Sequence, residues 1–154
     1  MGQREDLAGL SGAEVVAMLG LVPLPEEGGM WREVWRDEQS TAIYFLIRPG
    51  DFSAMHRLDG PELRHHYAGA AVQMLLLGPD GLVERPVLGD DLEAGERPCV
   101  VVPAHTWMGA STQSSHDKGT VGYRTLSSTC GVRPPTPQHP VGDTRQSCRR
   151  HDAS

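Results

Sequence analysis

The chain has 154 residues and a formal net charge of −6 at pH 7. That is one domain's worth of sequence with room for a sizeable core, and its acidic balance argues against a general nucleic-acid binder, which shows a basic face. No apolar run approaches the roughly 20 residues of a membrane span. No apolar signal core follows the opening Met-Gly-Gln-Arg-Glu-Asp, and Cys99, Cys130 and Cys148 are scattered. The thiols read as reduced, so the expected location is cytoplasmic.

Taken in order, Ser11 and Glu14 have the spacing of a capping box ahead of an apolar run, which predicts a short helix over 12–19 ended by Gly20. Residues 23–29 read as a loop. Residues 30–36 alternate Trp31, Glu33 and Trp35 against Arg32, Val34 and Arg36, which suits an edge strand. Residues 41–48 are rich in β-branched and aromatic types and form the first clear strand. Strands over 52–58 and 62–67 follow, joined by Asp59-Gly60-Pro61, and this turn predicts a hairpin. A nearly continuous apolar strand covers 72–77, the turn Gly78-Pro79-Asp80-Gly81 reverses it, and the return strand covers 82–88. Another strand spans 97–102 and is bent by Pro103. Residues 111–119 read as a polar loop, and the last strand spans 121–130. Many short strands separated by Gly- and Pro-rich turns predict an all-β sandwich or barrel. From Gly131 onward, prolines and arginines replace any apolar period, so 131–154 is expected to be a flexible tail after a single domain over 1–130.

The densest chemistry lies between Gly50 and Gly69. His56 comes six residues after Gly50, Glu62 six residues after His56, and Gly69 closes the run. The predicted hairpin would set His56 and Glu62 face to face. A carboxylate beside an imidazole favours its protonated form and fixes its tautomer. Strand alternation from Glu62 sends Arg64 and His66 to the same face and His65 to the other, although a bulge after Pro61 would reverse this.

The spacing of Gly50, His56, Glu62 and Gly69 resembles the first motif of the cupin superfamily. The longer context, Ile43-Tyr-Phe-Leu-Ile, Pro49-Gly-Asp-Phe-Ser, His56-Arg57, Glu62 and His65, resembles its Cupin_5 group of small single-domain proteins. The likeness runs from about Leu19 to Cys130. It implies a cupin jelly-roll β-barrel with a short N-terminal helix. It also implies His65 as the recurring histidine, with Arg64 standing where the pattern normally has Trp. Cupin metal sites take two His and the Glu of the first motif and one His of the second. Here Leu58 replaces the second His, and Met108 stands where the fourth ligand is expected, with His105 in place of a Gly. His56 and Glu62 are too few for a firm site unless another histidine joins, and a thioether is a poor ligand for the metals common in cupins.

These residues lead to a small-molecule biosynthetic enzyme, an isomerase, epimerase or cyclase, with His56, Glu62 and His65 as acid/base groups. Tyr44, Leu58, Arg64, His66, Met74, His105, Trp107 and Met108 are expected to line a mostly apolar pocket. Arg57 and Arg64 offer planar donors for an anionic oxygen. No cofactor is expected. The alternatives are a metal-dependent enzyme, with a weakly bound divalent metal on His56, Glu62 and His65, and a non-catalytic small-ligand binding module. The expected partners are a small-molecule substrate and a second copy in a homodimer, with no nucleic acid and no membrane. Each histidine singled out has a plain alternative as a surface or hydrogen-bonded structural side chain.

Overall fold

The computed structural model describes residues 7–112 and 125–132. A single 3-10 turn, Leu7–Gly9, leads into helix α1, Gly12–Leu19. The helix starts where the sequence places it. The Glu14 backbone N–H donates to Ser11 Oγ, and the Glu14 carboxylate accepts from the Ser11 N–H. Gly20 ends it in the left-handed region with φ 63°, where a residue without Cβ escapes the clash with its own carbonyl. Arg32 Nη1 donates to the orphan Leu19 carbonyl at 2.8 Å. No helix among the described residues is long and apolar enough to cross a membrane.

Among the described residues eleven strands follow: β1 Val22–Pro23, β2 Met30–Arg36, β3 Ser40–Ile47, β4 Phe52–Arg57, β5 Glu62–Ala68, β6 Val72–Leu77, β7 Val83–Glu84, β8 Val87–Leu88, β9 Cys99–Val102, β10 Trp107–Thr112 and β11 Thr125–Val132. They form two antiparallel sheets, one ordered β1-β2-β3-β11-β5-β9 and the other β4-β10-β6-β7, with β8 also on β6. This is the two-sheet layout of a jelly roll. Between the sheets lies an apolar core that includes Phe45, Ile47, Val72, Met74, Leu76, Val102 and Met108. On the far side of the first sheet a second cluster packs α1 onto the strands through Val15, Leu21, Met30 and Leu46. Sheet covered on both faces explains why Phe45, Leu46 and Ile47 are all buried in succession, where a strand covered on one face would alternate.

The structure corrects the sequence reading in four places. First, β4 and β5 are not a hairpin. β4 pairs with β10 in the second sheet, while β5 pairs with β9 and β11 in the first. Asp59-Gly60-Pro61 is therefore a crossover between sheets. Second, Trp107–Thr112 is a strand, and it is the one that joins β4 to β6. Its Trp-Met-Gly-Ala-Ser-Thr run lacks the β-branched enrichment that marks strands. A Cβ at Gly109 would lie 2.6 Å from Met55 Sδ, so the Met55 side chain would have to shift. Third, the 82–88 return strand is two short pieces around Pro86, which has no N–H to give a ladder; its carbonyl accepts from Met74 N at 3.0 Å. Fourth, β2 carries a register shift between Glu33 and Trp35. Trp31 pairs with Phe45 and packs on the inter-sheet core, while Trp35 pairs with Ala42 and is 56% exposed. The two tryptophans thus leave the strand on opposite faces. The 131–154 stretch read as a tail lies outside the described residues except for Gly131 and Val132, which end β11.

The loop before β2 is folded tightly onto β4. The Ala54 N–H donates to the Glu27 carbonyl at 2.6 Å, and Gly28 follows with φ 84°. A Cβ on Gly28 would meet the Phe52 carbonyl oxygen at 2.4 Å. Gly28→Ala combines an unfavourable φ with a clash against backbone, so a loss of about 2 kcal/mol or more in stability is expected. Urea unfolding of the purified variant measures it, and a loss below half of that would show that the loop shifts freely.

Candidate functional site

The site grows out of strand register. On β5, Glu62 is opposite Val102 and Arg64 opposite Val100, both buried; Leu63 and His65 are opposite Val101 and Cys99, both exposed. Directly opposed residues share a face. Glu62 and Arg64 therefore point between the sheets, and His65 points away. The only shift in the β5–β11 ladder comes beyond His66, between Leu126 and Ser127, so no bulge reverses the alternation earlier. His66 continues the inner row, and its Nε2 is buried with no hydrogen-bond partner among the described residues. In the other sheet Met108 is opposite His56, while Trp107 is opposite Arg57.

Four side chains meet between the sheets. Glu62 is 1% exposed and Arg64 5%. Arg64 Nε lies 2.8 Å from Glu62 Oε1, yet the N–H is not aligned on the carboxylate, so the contact is an ion pair without a hydrogen bond. Arg64 Nη2 lies 3.4 Å from His56 Nε2 and 3.6 Å from Met108 Sδ. The guanidinium carbon stands 5.7 Å from the centre of the Phe45 ring, within cation–π range. His56 Nδ1 is 2.8 Å from the Ala54 carbonyl. A carbonyl only accepts, so Nδ1 carries the proton and Nε2 offers a lone pair in the neutral ring.

Glu27 completes the picture at the edge, with Oε2 3.7 Å from His56 Nε2 and a 40% exposed side chain. The sequence reading missed it because it sits in a loop with no motif. The adjacent Gly28-Gly29 pair, both at positive φ, was the available signal that this loop turns back on the sheet.

Other residues expected at the site lie elsewhere. Tyr44 is on the helix-facing side of the first sheet, against the α1 cluster, and its ring meets Tyr67 edge-on at 6.4 Å. Trp107 is 45% exposed and stacks with Arg57 at 5.5 Å on the outer face of the second sheet. Leu58 is 36% exposed in the β4–β5 connection, and its carbonyl accepts from the His105 N–H. His105 has φ 62° and an exposed ring 3.8 Å from Asp59. Met74 is in the core beside Met108. His56, Glu62, Arg64 and Met108 are thus brought together, His66 and Met74 share their interior, and Tyr44, Leu58, His65, His105 and Trp107 do not join them. A separate open groove of about 730 Å³, lined in part by Phe52, Met55, Gln73, Arg85 and Gly109, contains none of the four.

The Cupin_5 family profile, described as Cupin superfamily (DUF985), matches residues 13–134. A protein of Shewanella oneidensis is 28% identical with a TM-score of 0.71, over 82% of this chain and 80% of that one. A hypothetical protein from Leishmania major is 27% identical with a TM-score of 0.72, over 80% and 81%. Bacillus subtilis oxalate decarboxylase, a protein with Mn(II) centres, shares the fold at 13% identity and a TM-score of 0.55, over 73% of this chain and 27% of that one. No curated protein matches the chain.

A metal of the kind cupins carry does not fit the residues as arranged here. Metal bonds from carboxylate and imidazole are about 2.0–2.2 Å long, and Arg64 lies between the Glu62 carboxylate and His56 Nε2. His65, the third ligand of the metal-dependent alternative, is on the other face of β5. Among the described residues no three His, Cys, Asp or Glu side chains converge on one point.

Breaking a buried ion pair leaves an uncompensated charge, which costs about 3–5 kcal/mol, whereas replacing both partners is close to neutral. Arg64→Met is therefore expected to lose stability in that range, and Arg64→Met with Glu62→Gln to recover most of it. Urea denaturation of the two variants reads the difference. Equal loss in both would mean that the pair contributes through packing alone.

Proposed function

Because this chain belongs to the Cupin_5 family of the cupin superfamily, we propose that its barrel takes up a small molecule and moves a proton on it, as an isomerase, epimerase or cyclase working by acid/base chemistry. The observation that carries this reading is the His56 ring. Nδ1 is held by the Ala54 carbonyl while Nε2 faces the buried guanidinium of Arg64. His56 Nε2 is the base that accepts the proton from a substrate carbon. Arg64 is the donor to the substrate oxygen on which charge develops, because a guanidinium presents several N–H groups in one plane. Glu62 acts through Arg64 as a positioning residue, since its ion pair is with Arg64 and not with the imidazole. Glu27 stands beside Nε2 and stabilises the imidazolium once it forms. His65, on the outer face, has no part in this step.

The chemistry needs an acidic C–H next to a carbonyl, so a panel of enolisable sugars and ketones incubated in D2O provides the test. The expected result is enzyme-dependent deuterium exchange, read by NMR, that falls by about 10²–10⁴ in His56→Ala, the usual worth of a general base. Arg64→Lys should retain more exchange than Arg64→Met, because charge at the oxygen is kept. Unchanged exchange in His56→Ala would end the acid/base reading in favour of a binding module.

We also propose that the protein acts in the cytoplasm as a homodimer. Cys99 is an exposed free thiol, which suits a reducing compartment. The two-residue β1 covers β2 only at Met30 and Trp31, so an exposed Trp35 follows on a strand with little cover, and strand edges are usually covered. Light scattering at micromolar concentration should give twice the chain mass, and Trp35→Ser should lower it towards one. A wild-type monomer would overturn the proposal.

A further inference from the structure

We propose that Arg64 is the resident cation of this site, a covalently attached guanidinium that stands where the fold would otherwise hold a metal ion and keeps metals out. The inference concerns what occupies the position rather than turnover, so it stands or falls apart from the acid/base reading.

Three kinds of donor surround the guanidinium. They are the carboxylate of Glu62 at 2.8 Å, the imidazole Nε2 of His56 at 3.4 Å and the thioether of Met108 at 3.6 Å. Each sits at a position that corresponds to a metal ligand in the motifs identified in the sequence, and each is turned towards one group. That group is 5% exposed and charged at every physiological pH. The local sequence explains how it gets there. Glu62 and Arg64 are two residues apart on β5, which places both side chains on the inner face, and strand pairing with Val100 and Val102 fixes that face. No flexible segment has to fold over to deliver the charge.

The consequence for metals follows from charge and space. A divalent ion bonded to Glu62 and His56 would sit within a few ångströms of the guanidinium. Repulsion between two unit charges about 4 Å apart, at the effective dielectric of a protein, corresponds to roughly a thousandfold in affinity, and a second charge on the ion raises it further. Glu62 is also already neutralised, so the gain from binding a cation there is smaller. A guanidinium cannot be removed by a chelator and has no redox states. A site built on it polarises an oxygen without one-electron chemistry.

The test is a two-by-two comparison with Co²⁺ as probe, read by equilibrium dialysis and by the visible absorption of bound cobalt. Wild type and Met108→His retain Arg64, and Arg64→Ala and Arg64→Ala with Met108→His do not. Circular dichroism and a cooperative melt establish that each is folded. The expected result is no stoichiometric uptake while Arg64 is present, and close to one equivalent with a cobalt absorption band in the double variant, lost again when His56→Ala is added. Should the Arg64→Ala variants not fold, Arg64→Gln, which keeps a donor beside Glu62 without the charge, takes their place in the same comparison. Stoichiometric uptake by wild type or by Met108→His that depends on His56 would overturn the proposal, since the guanidinium would not exclude the ion. A folded double variant that takes up no cobalt would overturn it too, since the position would then not be a cation site at all.

Discussion

Burial of the Glu62–Arg64 ion pair is the constraint on which the rest of the arrangement depends. Two charges withdrawn from water cost several kcal/mol each unless they meet one another in good geometry. Both side chains are almost fully enclosed, so neither can lose the other without leaving an orphan in the core. The pair lies on the face of β5 that pairing with β9 turns inward, with His66 on the same row and His65 on the outer one. On the facing sheet, His56 and Met108 are the polar and polarizable groups that the guanidinium touches.

The backbone around β4 is arranged to hold His56 against that charge. β4 has β10 as its strand neighbour, and its N-terminal half is strapped by the loop that ends in Gly28 and Gly29. Gly29 has φ 71°, and a Cβ there would press on the Phe45 ring at 2.8 Å. Gly109 lets Met55 lie across β10 on the opposite face. At Gly29 the positive φ and the close approach together favour glycine. The carbonyl of Ala54, two residues before His56, then selects the tautomer. The orientation of the His56 ring thus rests on a main-chain contact.

The relatives share the frame. Similarity to the Shewanella oneidensis and Leishmania major proteins extends over about four-fifths of each chain, which is what a common two-sheet core requires. The likeness to oxalate decarboxylase is one of fold alone at 13% identity. A jelly roll tolerates such divergence because its core asks for apolar side chains of suitable volume at alternating positions, whereas the chemistry depends on a few inner-face residues that can change without disturbing it. Arg64 is one such residue, a positive charge held between the sheets on a strand whose pairing with β9 is regular.

The sequence by itself determined whatever depends on local pattern or on ordered motifs. Ser11, Glu14 and Gly20 set both ends of α1, because capping is decided by residues within one turn of each other. The Gly50, His56, Glu62 and Gly69 spacing identified the family and the jelly roll, while strand alternation from Glu62 left two readings open; the resemblance points to His65 as the working residue, and the β5–β9 pairing turns it to the outer face. Tertiary structure alone decided the rest. It placed β4 and β5 in different sheets, so that His56 and Glu62 meet across the core with Arg64 between them. Nothing in a turn such as Asp59-Gly60-Pro61 encodes whether the strands it joins pair or separate, since that depends on β10 and β11 arriving from far along the chain. The bulge at Val34 that parts Trp31 from Trp35, the strand built on Gly109, and the reach of Glu27 to His56 are likewise products of long-range packing. Side-chain direction repeats with a period of two, so a single inserted residue reverses it, and only the assembled sheet shows where that insertion falls.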